Sequence, residues 1–167
     1  VCGTAMGAVA AAMKERGITV TGSDERIYPP MSTFLEESGM EIVEGYRASN
    51  IPESADVIII GNTISRGNEE AEEALNRKLL YQSLPEVLKD QFLRGKRNFV
   101  VTGTHGKTTT SAILTWVLQS AGREPGYMIG GIPANLGRGA CFTDSEFNVL
   151  EGDEYDTAFF DKRSKFL

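Results

Sequence analysis

Val100-Val101-Thr102-Gly103-Thr104-His105-Gly106-Lys107-Thr108-Thr109 is the stretch whose reading decides the fold. An apolar, β-branched run ends a buried strand, glycines punctuate a short turn, and Lys107 opens a helix expected to reach about Ala121 and stop at Gly122. Strand, glycine turn and helix in that order make a phosphate-binding loop. Glycines let backbone N–H groups turn inward onto phosphate oxygens, and the helix N-terminus adds positive partial charge. Lys107 supplies a point charge for β- and γ-phosphates, and Thr108 a hydroxyl for Mg²⁺. Gly103, Thr104, His105, Gly106, Lys107, Thr108 and Thr109 are therefore the expected nucleotide-binding residues. The usual first glycine of such loops is Val101 here, and a tight turn that merely contains Gly-Lys-Thr is the plain alternative.

A loop of this kind needs an acid beside it. Asn148-Val149-Leu150-Glu151 reads as an apolar strand, Phe147–Leu150, running into a carboxylate. Parallel strands place their carboxyl ends on one rim, where open α/β sheets bind ligands, so Glu151 is a candidate Mg²⁺ ligand. An exposed acidic loop with Asp153, Glu154 and Asp156 is its bland reading.

The residues before the loop alternate in the same way. Gly3-Thr4-Ala5-Met6-Gly7 is a glycine turn after the end of a strand at Val1-Cys2, leading into an Ala-rich helix that should stop at Gly17. Further strands are expected at Ile18–Thr21, with Gly22-Ser23-Asp24 at its carboxyl end, at Glu41–Val43, at Asp56–Gly61 and at Leu79–Gln82. Helices are expected over Ser32–Ser38, from Asn68 as N-cap, and over Pro85 to about Leu93. Strand–helix alternation implies parallel sheets. The fold class is α/β: a Rossmann-like parallel-sheet domain over 1–96, then the start of a phosphate-loop ATPase domain over 97–167, divided at Arg94-Gly95-Lys96-Arg97. Asp24, at the end of the second strand, invites comparison with dinucleotide folds, where an acid in that place binds a ribose. The G-x-G-x-x-G spacing is absent, because Ala5 stands in the middle position.

Composition narrows the classes. With 17 Lys and Arg against 23 Asp and Glu, the net charge is −6, which argues against a basic face for nucleic acid. No apolar run approaches the roughly 18 residues that cross a bilayer. The two cysteines, Cys2 and Cys141, have no metal-ligand spacing, and His105 is the one histidine. A reducing, cytoplasmic setting is the expectation. The abrupt start at Val1 and stop at Leu167 are expected of a piece of a longer protein, incapable of ligation by itself.

Gly103-Thr104-His105-Gly106-Lys107-Thr108-Thr109-Thr110, followed by Glu151-Gly152-Asp153-Glu154-Tyr155-Asp156, resembles the Mur ligases of peptidoglycan synthesis. Cys2-Gly3-Thr4-Ala5-Met6-Gly7 and Gly22-Ser23-Asp24 resemble the uridine-nucleotide domain of the branch acting on UDP-N-acetylmuramate. Tyr28-Pro29-Pro30-Met31-Ser32-Thr33 and Asp156 through Phe166 resemble the members that return a recovered cell-wall tripeptide. The resemblance spans essentially the whole chain. It implies an ATP- and Mg²⁺-dependent ligase that phosphorylates the lactyl carboxylate of UDP-N-acetylmuramate and joins it to L-alanyl-γ-D-glutamyl-meso-diaminopimelate. Lys107, Glu151 and His105 would be catalytic, and Thr108 and Glu151 would hold the metal. Gly3, Thr4, Met6, Gly7, Ser23, Asp24, Asn62, Thr63, Asn135 and Arg163 would meet the UDP-sugar or its partner. Asn62-Thr63-Ile64-Ser65-Arg66 and Gly130-Gly131-Ile132-Pro133-Ala134-Asn135 are the expected walls, and Lys162, Arg163 and Lys165 a basic cluster for carboxylates or phosphates. Gly152 stands where the family more often has Ala, a change expected to matter little. Addition of L-alanine in place of the tripeptide is the first alternative, and a NAD-binding oxidoreductase domain the second.

Overall fold

The computed structural model describes residues 1–29, 31–152 and 158–161. The first helix, α1 (Thr4–Glu15), follows Gly3 as N-cap and closes through Gly17, whose φ of +82° suits a residue without a Cβ. It leads to β1 (Thr21–Asp24), α2 (Met31–Glu37) and β2 (Glu41–Glu44), with β1 and β2 parallel. The expected strand at Ile18–Thr21 thus sits three residues later. Its partner decides the register: Thr21 faces Glu41 and Asp24 faces Glu44, which makes Gly22, Ser23 and Asp24 ladder residues. Val1 and Cys2 form no strand; their backbone nitrogens bond to Asp24.

A 3-10 turn at Ala48–Asn50 precedes β3 (Ile58–Ile60), and β3 pairs in parallel with β4 (Tyr81–Ser83). The expected Asp56–Gly61 strand is pared to its three isoleucines. Between them, α3 (Glu69–Asn76) starts as its sequence dictates: Asn68 Oδ1 accepts from the backbone N–H groups of Glu70 and Ala71, each at 3.1 Å. Ser83 caps α4 (Leu84–Leu88) in a capping box with Glu86, and a π-helical turn continues it over Lys89–Leu93. The N-terminal strands form two separate two-stranded parallel ladders, β1-β2 and β3-β4.

The remaining strands form one sheet in the order β5-β8-β6-β7: β5 (Arg97–Val101), β8 (Phe147–Glu151), β6 (Gly126–Met128) and β7 (Ala140–Cys141). The first three are parallel and β7 runs antiparallel at the edge. Helix α5 (Lys107–Ser120) lies against this sheet with Ser111 and Thr115 wholly buried, while Ile113, Trp116 and Val117 are exposed. Residues on both sides of Lys96 share one apolar cluster. Ala8, Val9, Ala12 and Met13 of α1 meet Val87, Leu88 and Phe92, together with Met128, Phe142 and Leu150. The Phe92 and Phe142 rings stack at 4.2 Å. Residues 158–161 return to the first unit, where Phe160 meets Tyr81 edge-on at 4.9 Å and Ser83 Oγ donates to Asp161 Oδ2 at 3.1 Å. Among the described residues, no helix is long and apolar enough to cross a membrane.

Candidate functional site

The phosphate loop stands between β5 and α5. Gly103 has φ +144° and Gly106, the N-cap of α5, has φ +75°, so both need the freedom of glycine. Thr104, His105 and Gly106 are exposed, and Thr108 and Thr109 begin the helix with exposed side chains. Lys107 Nζ donates to Gly103 O at 2.8 Å, which folds its charge back across the loop. Among the described residues, no hydrogen bond joins the His105 side chain to the loop.

The parallel register of β5 and β8 sets Val101 opposite Glu151, and Gly152 N donates to Val101 O at 2.8 Å. Glu151 is thereby delivered to the mouth of the loop. Thr108 Oγ1 donates to Glu151 Oε1, and the Gly130 backbone N–H donates to Glu151 Oε2, each at 2.8 Å. Hydroxyl and carboxylate, distant in sequence, form one oxygen cluster at the positive end of a helix. Gly152 is less freely exchanged than its sequence implies. A Cβ there would stand 2.7 Å from Thr102 Cγ2, so an alanine requires Thr102 to turn aside.

The carboxyl ends of β1, β2 and β3 border a cavity of about 350 Å³. It is lined by Glu25, Tyr46, Thr63, Ile64, Ser65, Arg66, Gly67 and Asn68. Thr63 lies where the sequence places it; Asn62 beside it is exposed and absent from the lining. Glu25 and Tyr46 carry no signal in the sequence, because each merely follows a strand end. Burial, then the nearby Asp24 carboxylate, pushes the Tyr46 phenol pKa up, partly offset by a hydrogen bond with the Glu25 backbone. Arg66 pairs with Glu72 at 2.7 Å on the exposed rim.

Glu70 is a further residue that the sequence alone does not single out, since it reads only as an acid near a helix end. Its Oε2 accepts from Ser23 Oγ, and its Oε1 accepts from Asn50 Nδ2 at 2.6 Å and Arg47 N at 3.3 Å. One carboxylate thus ties β1, the turn after β2 and the start of α3 around the cavity. The three partners are scattered over residues 23 to 50, a pattern no local spacing reveals.

The other N-terminal residues divide by surroundings. Gly3 is exposed, with nothing within 4 Å of where a Cβ would be, and Thr4 opens the helix. Gly7 is a packing residue: a Cβ would stand 2.7 Å from Met31 Sδ. Met6 reaches toward Gly61, its Cε 3.4 Å from that glycine's notional Cβ. Asp24 Oδ2 accepts from the Cys2 backbone N–H at 2.8 Å, which ties the end of β1 to the turn before α1. Asn135 is exposed in a turn, and Lys162, Arg163 and Lys165 lie outside the described residues, as do Asp153, Glu154 and Asp156.

An α/β fold with parallel ladders and a phosphate loop facing an acidic strand end defines a nucleotide-binding class. Residues 1–96 match the family described as "Mur ligase family, catalytic domain", and the chain belongs to the Mur ligase family. The phosphate loop lies just beyond the matched residues. The chain is 51% identical, over all of its length, to the UDP-N-acetylmuramate–L-alanyl-γ-D-glutamyl-meso-2,6-diaminoheptandioate ligase of Haemophilus influenzae, of which it spans 37%. It is 35% identical over 94% of its length to the UDP-N-acetylmuramate–L-alanine ligase of a Psychrobacter species, of which it spans 32%. Among solved structures, the UDP-N-acetylmuramate:L-alanyl-γ-D-glutamyl-meso-diaminopimelate ligase from Neisseria meningitides superposes with a TM-score of 0.93 at 48% identity. That match covers 98% of this chain and 54% of the other. The chain therefore spans about a third of the length of the curated relatives it matches.

Proposed function

We propose that this chain supplies the nucleotide-sugar and ATP sites of a ligase joining L-alanyl-γ-D-glutamyl-meso-diaminopimelate to UDP-N-acetylmuramate. The observation that carries the reading is the 2.8 Å contact of Thr108 with Glu151 at the mouth of a loop whose two glycines hold positive φ. Such a pair suits Mg²⁺, which is ordinarily held by one or two protein oxygens together with substrate phosphates. When bound, the ion neutralises charge on the transferring phosphoryl group.

The protein's own part is positioning. Backbone N–H groups around Gly103 and Gly106 hold phosphate oxygens, and Lys107 leaves Gly103 O to reach the β- and γ-phosphates. The exposed His105 lies within reach of phosphate or substrate. The lactyl carboxylate takes the γ-phosphoryl group, leaving ADP. The peptide amine then attacks the acyl carbon, loses its proton and expels phosphate. The 350 Å³ cavity at the ends of β1, β2 and β3 receives the UDP-sugar, with Tyr46 offering a flat face and Arg66 a cation. A first domain over 1–96 and a second from 97 onward divide these tasks, and ATP chemistry with free cysteines fits a cytoplasmic protein.

Higher identity to the tripeptide ligase than to the L-alanine ligase favours the peptide as acceptor. Calorimetric titration tests the site: UDP-N-acetylmuramate is expected to bind, and NAD to give no heat. Binding of NAD alone would return the first unit to the oxidoreductase reading. Amide formation by the full-length protein with L-alanine but not with the tripeptide would move it to the other branch.

A further inference from the structure

We infer that Gly130 is a positioning residue of the nucleotide–metal site, required there as glycine, and not part of the sugar-phosphate wall its sequence implied. The inference rests on the proposed role of Glu151. Three contacts carry it. The Gly130 N–H donates to Glu151 Oε2 at 2.8 Å, which turns Oε1 toward Thr108 Oγ1 at the same distance. A Cβ built on Gly130 would stand 3.3 Å from Glu151 Oε2, close enough that this oxygen must shift by a few tenths of an ångström, and in ordinary contact at 3.5 Å with Cδ and Oε1. The neighbouring Gly131 would place a Cβ 3.5 Å from Thr108 Cγ2, so the chain after β6 passes over both oxygen donors.

The backbone needs no glycine at this point for its own sake. Gly130 is not among the residues with positive φ, so an alanine adopts its conformation without strain. What the glycine provides is approach: an amide close enough to fix one carboxylate oxygen and no side chain to displace it. The loop from Gly130 to Gly139 is itself anchored, because Ile129 N donates to Gly139 O at 2.7 Å and a Cβ on Gly139 would stand 2.9 Å from Gly131 O. The amide is thus a fixed support. Groups of this kind set the orientation of a metal-binding carboxylate, and their loss costs about tenfold or more in metal affinity.

The test measures ADP affinity of the full-length protein with and without Mg²⁺, in the wild type, Gly130→Ala, Glu151→Asp and the double variant. Gly130→Ala is expected to cut the Mg²⁺-dependent gain in ADP affinity about tenfold. Its affinity for ADP without Mg²⁺ and its melting temperature should stay close to wild type. In the Glu151→Asp background the carboxylate is shorter by one methylene, which leaves room for the added methyl, so the double variant should match Glu151→Asp alone. This comparison also decides the matter if Gly130→Ala by itself folds poorly. An unchanged Mg²⁺-dependent gain, or equal losses from Gly130→Ala in both backgrounds, overturns the inference. Absence of any Mg²⁺-dependent gain in the wild type would instead overturn the reading of Thr108 and Glu151.

Discussion

Lys107→Ala is expected to reduce phosphoryl transfer by the full-length protein by about three orders of magnitude, equivalent to about 4 kcal/mol of transition-state stabilisation. Phosphoryl transfer leaves little covalent work to the protein, so one preorganised positive charge carries a large share of the effect. The side chain is only half-buried, and its bond among the described residues is to Gly103 O, so its removal should leave the melting temperature nearly unchanged. Lys107→Arg is expected to recover little, because a planar fork does not replace a compact ammonium inside so tight a turn. The measurement is UDP-N-acetylmuramate-dependent ADP release under saturating ATP. A rate within tenfold of wild type would remove Lys107 from the chemistry and leave the loop as a structural turn.

Much of this site is legible because its determinants are local. Gly103 and Gly106 announce positive φ, Lys107 and Thr108 follow at fixed offsets, and Asn68 caps the helix that its sequence predicts. Glu151 is legible as the end of an apolar strand, though only the β5–β8 pairing places it beside Thr108. The misses share a different cause. Thr21-Gly22-Ser23-Asp24 has poor strand propensity and is held extended by pairing with β2, whereas the β-branched Ile18 and Val20 draw the expectation upstream. Strands β6 and β7 are three and two residues long, too short to show a period, and exist because β8 offers an edge to β6 and β6 in turn offers one to β7. Gly130 carries no signal in sequence beyond being a loop glycine; its role comes from the carboxylate it approaches.

The two clusters stand apart in the chain, as the proposal of two ligands requires. The cavity draws its lining from residues 25 to 68, and the phosphate loop with Glu151 and Gly130 draws on the β5-β8-β6 sheet. Between them lies a shared core in which α1 packs against both β7 and the α4 region, and Arg138 of the second unit pairs with Glu15 of α1 at 3.2 Å. Substitutions at one cluster should therefore leave affinity at the other intact while the core remains packed.

Glu70→Ala puts that separation to its strongest test. Three donors lose their acceptor at once: the Ser23 hydroxyl, the Asn50 amide and the Arg47 backbone N–H. Hydrogen bonds to a charged group contribute about 1.5–3 kcal/mol each, and partial exposure lets water replace some of them, so a loss of about 3 kcal/mol in stability is expected. The larger consequence is at the cavity, whose rim residues Glu25, Tyr46 and Asn68 stand on the elements that this carboxylate ties together. Affinity for UDP-N-acetylmuramate should fall by more than tenfold, while affinity for Mg-ADP stays within about twofold of wild type. Glu70→Gln keeps one carbonyl oxygen for Asn50 and Arg47 and still meets the Ser23 hydroxyl, so it should recover most of the stability and much of the binding. Parallel calorimetric titrations and melts separate the outcomes. A folded Glu70→Ala protein with undiminished UDP-sugar affinity would mean that the carboxylate braces β1 against α3 without shaping the cavity. Equal losses for both ligands would mean that the shared core had moved.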